Sequence, residues 1–575
     1  MRRDRTQPGA ILVLGLPVLA LDVLALHVLG LRMLDLLAFL ALMAVWTLAG
    51  SLFLHRQRHA FPDRFTFYAL SAVLGMAIAM SAWFVGFQSS LLEGLGNPDP
   101  RSVALGVTAL LLAPALAGAV LAARDRGGPP AMAQPGAITV LWVVGSCVAC
   151  LSAFGVENNE FGKAGTIRAR IADGRPVMEQ NFLPNWGRLA DRAAHVVSYT
   201  RDIDAHGLPV ETSFTGGRGR IVHSTLGTGS GVPVTLLGAL YPSGPHSRSR
   251  AMAFSKILSL AWLFLVPLWI FCIARDVLDA PVAASCLAGV GALTYAGLNL
   301  HAFVAPVSSY WICVASGSLF HNVTQQASLA VGFAGLYLAL LDMRHPRGLF
   351  ALGCLLVSLS ALYKPSLFSV AAPAIGLVSL LQGRVAWRRD VLLGWVALVL
   401  LPAFWLIYPR LTGTEPLSAP VSVDFLGVLQ VRTRGVLPWS TTTELKLLLT
   451  IALLAYAPLI LPIAGWAARV LRERSTPMPA GSRRSNRPEI AVLLVVIALG
   501  LFGGYALVES GPRRPHANFL WGAAVAHLCM LPFVTRAIAR IELRWLRISG
   551  WLVYAANLAS GVWNLWVYAF FEKYM

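Results

Sequence analysis

Charge is what this sequence has least of. Only 13% of its 575 residues are charged and 57% are hydrophobic, where a soluble domain carries about 25% charged residues. So few charges cannot cover an aqueous surface, which excludes an ordinary soluble enzyme or binding module. Acids are the scarcer sign: 27 Asp and Glu stand against 46 Lys and Arg, a net charge of +19. That excess would suit nucleic acid if it were gathered into a groove. Instead most arginines fall in short stretches between apolar runs, the pattern of cytoplasmic membrane loops, and nucleic acid is excluded as a partner. Cysteine is sparse too. Nearly all of the seven lie inside apolar runs, so no disulfide framework is implied. Cys147 and Cys150 form a C-x-x-C within AITVLWVVGSCVACLSAF, where two small side chains on one helix face is a simpler reading than redox or zinc chemistry. No clear small-residue cleavage site follows MRRDRTQPGA before a second apolar run begins, so the N-terminus reads as an uncleaved first helix. No internal repeat is evident, which counts against a transporter built from two related halves.

What is abundant is apolar sequence in runs of roughly 18 residues or more, long enough to cross a bilayer as helices. The runs cover 9–30, 32–54, 66–88, 103–123, 137–154, 253–274, 281–299, 325–342, 348–364, 366–382, 391–408, 447–468, 490–508, 518–535 and 549–571. With Arg2, Arg3 and Arg5 inside, the clusters at Arg56–Arg64, Arg124–Arg126, Arg275, Arg344–Arg347, Arg384–Arg389, Arg469–Arg487 and Arg536–Arg547 all fall on the cytoplasmic side, provided that 300–320 does not cross. We therefore expect 300–324 to be re-entrant or interfacial on the outer face. The expected fold is an all-α polytopic bundle in a cell (inner) membrane. A four-helix extension fills 1–136, a core 137–408 contains the outer loop 155–252, and 409–575 holds a further loop and the last helices. Amphipathic helices are expected at 158–172 and 185–203, followed by a Gly-rich stretch that lacks the Lys of a phosphate-cradling loop.

The chemistry-bearing segment begins where 137–154 leaves the membrane, FGVENNEFGKAGTIRARIADGRP. Glu157 and Glu160 stand three residues apart and share a face if helical. Lys163, Arg168 and Arg170 follow. A carboxylate beside cations suits a general base acting next to a phosphate-bearing donor. An interfacial helix with acids at its start and bases at its end is the plainer account of the same spacing. Elsewhere on the outer side stand Lys364 in LSALYKPSLF, His321 after the 300–320 stretch, and Arg513, Arg514 and His516 in ESGPRRPHAN. Snorkelling to headgroups is the competing reading for Lys364. The Arg513–Arg514 pair runs against the positive-inside trend, for which a phosphate or anionic headgroup is the natural reason. Asp22, His27 and Asp35 lie in or beside the first two spans, and local helix-to-helix pairing with Arg32 at the turn is a simpler reading than a functional site.

The segment Glu157-Asn158-Asn159-Glu160-Phe161 resembles the acidic D-E-x-x-Y signature of GT-C superfamily glycosyltransferases, a family that includes protein O-mannosyltransferases and lipid A aminoarabinose transferases. Glu157 matches the first acid and Phe161 the aromatic, while Asn158 replaces the second acid. GVPVTLLGALYPSGPHSRSR with the apolar run after it, SGSLFHNVTQQ and ALYKPSLF are similar to later family segments, so the likeness covers roughly 137–390. The resemblance implies a polyprenyl-phosphate-linked sugar donor, a glycan, lipid or protein acceptor, and an acidic base. Glu157 and Glu160 are then the catalytic candidates, and Arg168, Arg170, His321, Lys364, Arg513 and Arg514 the donor-phosphate candidates. Some members hold a divalent metal at the acidic loop and others do not, so a divalent metal stays open. An O-antigen polymerase or ligase, with many spans and outer Arg and His, and a transporter or lipid flippase are the alternatives. A transporter would place ionisable groups at mid-membrane, and the spans after 137 carry almost none. Single cysteines at positions 230 and 480 should label from opposite sides, outer and inner respectively; labelling from one side would overturn this topology.

Overall fold

The computed structural model describes residues 33–92, 100–124, 134–156, 261–296, 323–381, 389–411, 421–424, 456–475, 487–509 and 520–570. They are mostly helical. In chain order the helices are α1 Met33–Leu54, α2 Arg64–Leu92, α3 Pro100–Arg124, α4 Pro135–Val156, α5 261–272, α6 Val282–Thr294, α7 Val323–Arg344, α8 Phe350–Ser360, α9 Phe368–Leu381, α10 Arg389–Leu411, α11 Ala457–Ser475, α12 Pro488–Ala506, α13 Leu520–Ala539 and α14 Arg544–Phe570. Five helices among the described residues are long and apolar enough to cross a membrane: Leu37–Ala60, Gly106–Ala123, Gln325–Arg344, Pro488–Ala506 and Trp521–Ala539. The expected run at 9–30, the outer loop 155–252 and the 300–322 stretch lie outside the described residues.

Apolar sequence builds the helices, and small residues let them touch. Helices α1 and α2 pack so closely that a Cβ at Gly50 would sit 1.9 Å from the Ser71 carbonyl oxygen, and one at Gly75 would sit 1.8 Å from that of Trp46. Where helices share no hydrophobic driving force against lipid, such backbone approach replaces it. The densest part of the core surrounds α7, whose residues from Ala327 to Leu341 are buried on all sides, Tyr337 and Phe333 completely so. The α5 residues Trp262, Trp269 and Phe271 are likewise fully buried, and Trp269 stacks on Tyr337 with centroids 6.1 Å apart. Helix α7 packs against α8 and α12, α13 against α12, α11 and α6, and α14 against α4 and α6.

Polar side chains gather at one end. Helix α5 finishes in a π-turn, Ile273–Val277, a bulge type that re-aims side chains. There Arg275 donates to both oxygens of Asp276 at 2.6 and 2.8 Å and to Asp63 at 3.2 Å. Asp63 is fully buried, and it also accepts the backbone N–H of Thr66, capping α2. Tyr337 donates to Asp276 at 2.9 Å. Three residues on, Asp279 takes a left-handed backbone, φ 52°, which Asp tolerates better than most residues. Its carboxylate accepts two bonds from Arg344 at 2.7 and 2.8 Å and lies 3.6 Å from Arg487. Arg487 also donates to buried Glu489 at 2.7 Å, in the first turn of α12, where the helix dipole favours an acid. Asp342 accepts the N–H groups of Arg347 and Leu349, tightening the loop between α7 and α8. Arg347 in turn hydrogen-bonds the Ala60 carbonyl.

These contacts order the bundle. The sequence-distant segments at 60–63, 275–279, 342–349, 487–489 and 540 meet at one end. Helix α6 starts beside Asp279 and α7 finishes at Arg344, so α6 runs away from this end and α7 runs toward it.

Burial alone would lower the pKa of Arg275. The bond to Asp276 and the neighbouring negative charges outweigh it and hold the guanidinium protonated, above the ordinary arginine range. Arg275→Gln strands Asp63 and Asp276 without a cation. It should cost about 3–5 kcal/mol, the range for an uncompensated buried charge, read as a fall in the thermal unfolding midpoint of the purified protein. A change as small as that for an exposed arginine would show that the ion pairs contribute nothing.

Candidate functional site

Of the residues assigned to the site from sequence, Lys364 is the one placed among the described residues. Glu157, Glu160, Arg168, Arg170, His321, Arg513 and Arg514 lie outside them. Even so, two boundaries are fixed. Helix α4 runs alongside α6 in the same direction, because Cys286 contacts the Ala137 carbonyl at 3.9 Å and Gly289 faces Leu141. Its last residue, Val156, therefore points to the end opposite the arginine network, and Glu157 is the next residue in the chain.

Lys364 stands at that same end. Helix α8 stops at Ser360, and the chain turns through 361–367 before α9. Pro365 is the local cause: it disfavours helical backbone at the residue before it and supplies no N–H. The exposed backbone groups are taken up nearby. Ser328 of α7 donates to the Lys364 carbonyl at 2.7 Å, Lys364 N–H donates to Ser360 O at 3.2 Å, and Ser366 donates to Gln325 Oε1 at 2.7 Å. Gln325, Gln326 and Ser328 are fully buried, a concentration of polar groups at the start of an otherwise apolar helix. The Lys364 ammonium lies 3.7 Å from the centroid of the Trp521 ring, over its face, the geometry of a cation–π contact.

Beyond Trp521 the same end carries aromatic groups that sequence reasoning did not assign. The hydroxyls of Tyr456 and Tyr505 are hydrogen-bonded to each other. The Tyr456 ring lies 4.7 Å from His527. His527 is buried, and its Nε2 has no hydrogen-bond partner. A short antiparallel pairing of β1 Val421–Val423 with β2 Leu507–Glu509 closes over the end of α12. His527 was visible in the sequence as an ionisable group inside an apolar run, a signal worth weight in any membrane helix. The tyrosines gave none, since Tyr is ordinary at membrane interfaces.

Among the described residues no three His, Cys, Asp or Glu side chains come together in a way that could hold a metal ion; the acidic segment after α4 lies outside them. The chain belongs to the class of helical proteins whose helices suit a membrane. Comparison with family models, with curated proteins and with solved structures returns no match, so no relative narrows that class.

The Lys364–Trp521 contact makes a direct prediction. In a double-mutant cycle of Lys364→Met and Trp521→Leu, the coupling energy should be about 0.5–2 kcal/mol in unfolding stability. Additive losses would mean that the ammonium and the ring merely lie near each other.

Proposed function

We propose that the protein is a membrane glycosyltransferase of GT-C type. It transfers a sugar from a polyprenyl-phosphate-linked donor to a glycan, lipid or protein acceptor at the outer face of a cell membrane. The observation that supports this best is one of placement. The C-terminal end of α4, which leads directly into Glu157, and the break that carries Lys364 share the end of the bundle remote from the arginine network. If that network faces the cytoplasm, as the positive-inside rule directs, both groups face outward. There a donor phosphate meets water while its polyprenyl tail stays in hydrocarbon.

In this reading Glu157, with Glu160 beside it, takes the proton of an acceptor hydroxyl. The freed oxygen attacks the anomeric carbon, and the bond to the donor phosphate breaks, its electron pair leaving on the phosphate oxygen. Lys364 offers the leaving phosphate a point charge, while Arg168, Arg170, Arg513 and Arg514 offer forked donors that bind phosphate bidentately. His321 is the further candidate for contact with the donor phosphate. The aromatic faces of Trp521, Tyr456 and Tyr505 offer apolar surfaces with polar edges, which suit the mixed faces of a sugar ring.

The test is transfer from a synthetic polyprenyl-phosphate sugar by the purified protein. Glu157→Gln should lower turnover by about 10²–10⁴ with folding intact, and Lys364→Ala should raise the donor KM. Full activity in both Glu157→Gln and Glu160→Gln would end the catalytic assignment.

A further inference from the structure

At the arginine-rich end one buried guanidinium differs from its neighbours in how it is partnered. Arg344 is fully engaged: it donates to the carbonyls of Asp276 and Val277 at 2.7 and 2.9 Å and to both oxygens of Asp279. Arg487 is engaged with Glu489, with the Val277 carbonyl at 2.8 Å and with Asp279. Arg540 is exposed, and its guanidinium makes a long 3.4 Å bond to the Asp279 carbonyl. Arg536 differs from all three. It is only 7% exposed, and its Nε has no hydrogen-bond partner. Its charged neighbours are Arg540, Arg487 and Arg344, which repel it, and Asp279, which attracts it but is already held by Arg344 and Arg487. Asp279 and Glu489 are both engaged by Arg344 and Arg487, which leaves the buried Nε of Arg536 without an acceptor.

A buried guanidinium costs free energy unless an anion pairs with it. The C-terminal end of α13 favours a cation, but the Arg536 carbonyl is itself taken by the Arg540 N–H, and the dipole supplies no acceptor for Nε. We infer that Arg536, with Arg540, Arg487 and Arg344 around it, forms a binding site for a phosphate group at the arginine-rich end of the bundle. Guanidinium forks match phosphate oxygens in geometry, and a phosphate monoester brings about −1.5 to −2 charges at pH 7 together with the acceptor that Nε lacks. Arg536 lies three residues from the end of the apolar helix Trp521–Ala539, the level at which lipid phosphates stand in a bilayer. The same chemistry would admit a phosphomonoester lipid headgroup or free phosphate.

This site is remote from Lys364 and stands or falls independently of sugar transfer. Its test needs no enzyme assay. The purified full-length protein in neutral detergent is melted with inorganic phosphate against chloride of equal ionic strength, and in mixed micelles with phosphatidic acid against phosphatidylcholine. A ligand that binds only the folded state raises the unfolding midpoint. A rise of several degrees with phosphatidic acid alone identifies a headgroup site, and a rise with inorganic phosphate identifies a free-anion site. In either case Arg536→Gln and Arg540→Gln should abolish the rise. Should Arg536→Gln not fold, exposed Arg540 still supplies the variant arm. No rise with either probe in the wild-type protein, or an undiminished rise in the variants that fold, overturns the inference.

Discussion

Hydrocarbon offers no partner to a charge, and that constraint arranges almost everything else here. Polar backbone is satisfied within helices, and ionised side chains are driven to helix ends, where they have to find each other. At one end they form the chain of contacts from Asp63 through Arg275, Asp276 and Tyr337 to Asp279, Arg344, Arg487 and Glu489. The links Arg275–Asp63, Tyr337–Asp276, Arg344–Asp279 and Arg487–Asp279 join segments far apart in sequence, so the network aligns helices that apolar packing alone would leave free to slide. The π-turn at Ile273–Val277 and the left-handed Asp279 are the local distortions that aim these groups at one another.

The positions of the helices were legible because the membrane-length apolar run is a strong, local signal. Helices α1 to α4, α7, α10 and α12 to α14 fall within a few residues of the expected runs. The departures have physical causes. The run 348–364 ends as a helix at Ser360, because Lys364-Pro365 breaks it and α7 supplies Ser328 and Gln325 to hold the break. The β1–β2 pairing was not anticipated, since three-residue strands carry no periodicity to read. The arginine clusters were expected to lie on one side, but their partners could not be named: Asp63 and Arg275 are 212 residues apart, and no spacing rule connects them.

The site was less legible than the fold. Lys364 stands just past the end of α8, yet its ring partner Trp521 lies 157 positions later in the numbering and could not be inferred. His527 was passed over because a lone histidine in an apolar run is ambiguous until its neighbours are known. Its place beside Tyr456 makes it part of an aromatic group at the end that also carries Lys364. The acidic segment after α4 rests on sequence and on the direction of α4 alone.

The network also bears on the first helices, which carry no assigned chemistry. Residues 1–136 read from sequence as an N-terminal extension, yet the buried Arg275–Asp63 pair and the bond from Arg347 to the Ala60 carbonyl cross that boundary. Asp63 supplies a carboxylate to a cation that α5 buries, and α2 packs on α7, the most enclosed helix of the core. A cation buried this deeply requires its acids in place. The α1–α2 unit, zipped together at Gly50 and Gly75, is thus part of what lets Arg275 sit where it does. Arg275 in turn fixes the orientation of Asp276, to which Tyr337 of α7 donates. The extension contributes to the geometry of the core through electrostatics at one end of the bundle, while the candidate chemistry occupies the other.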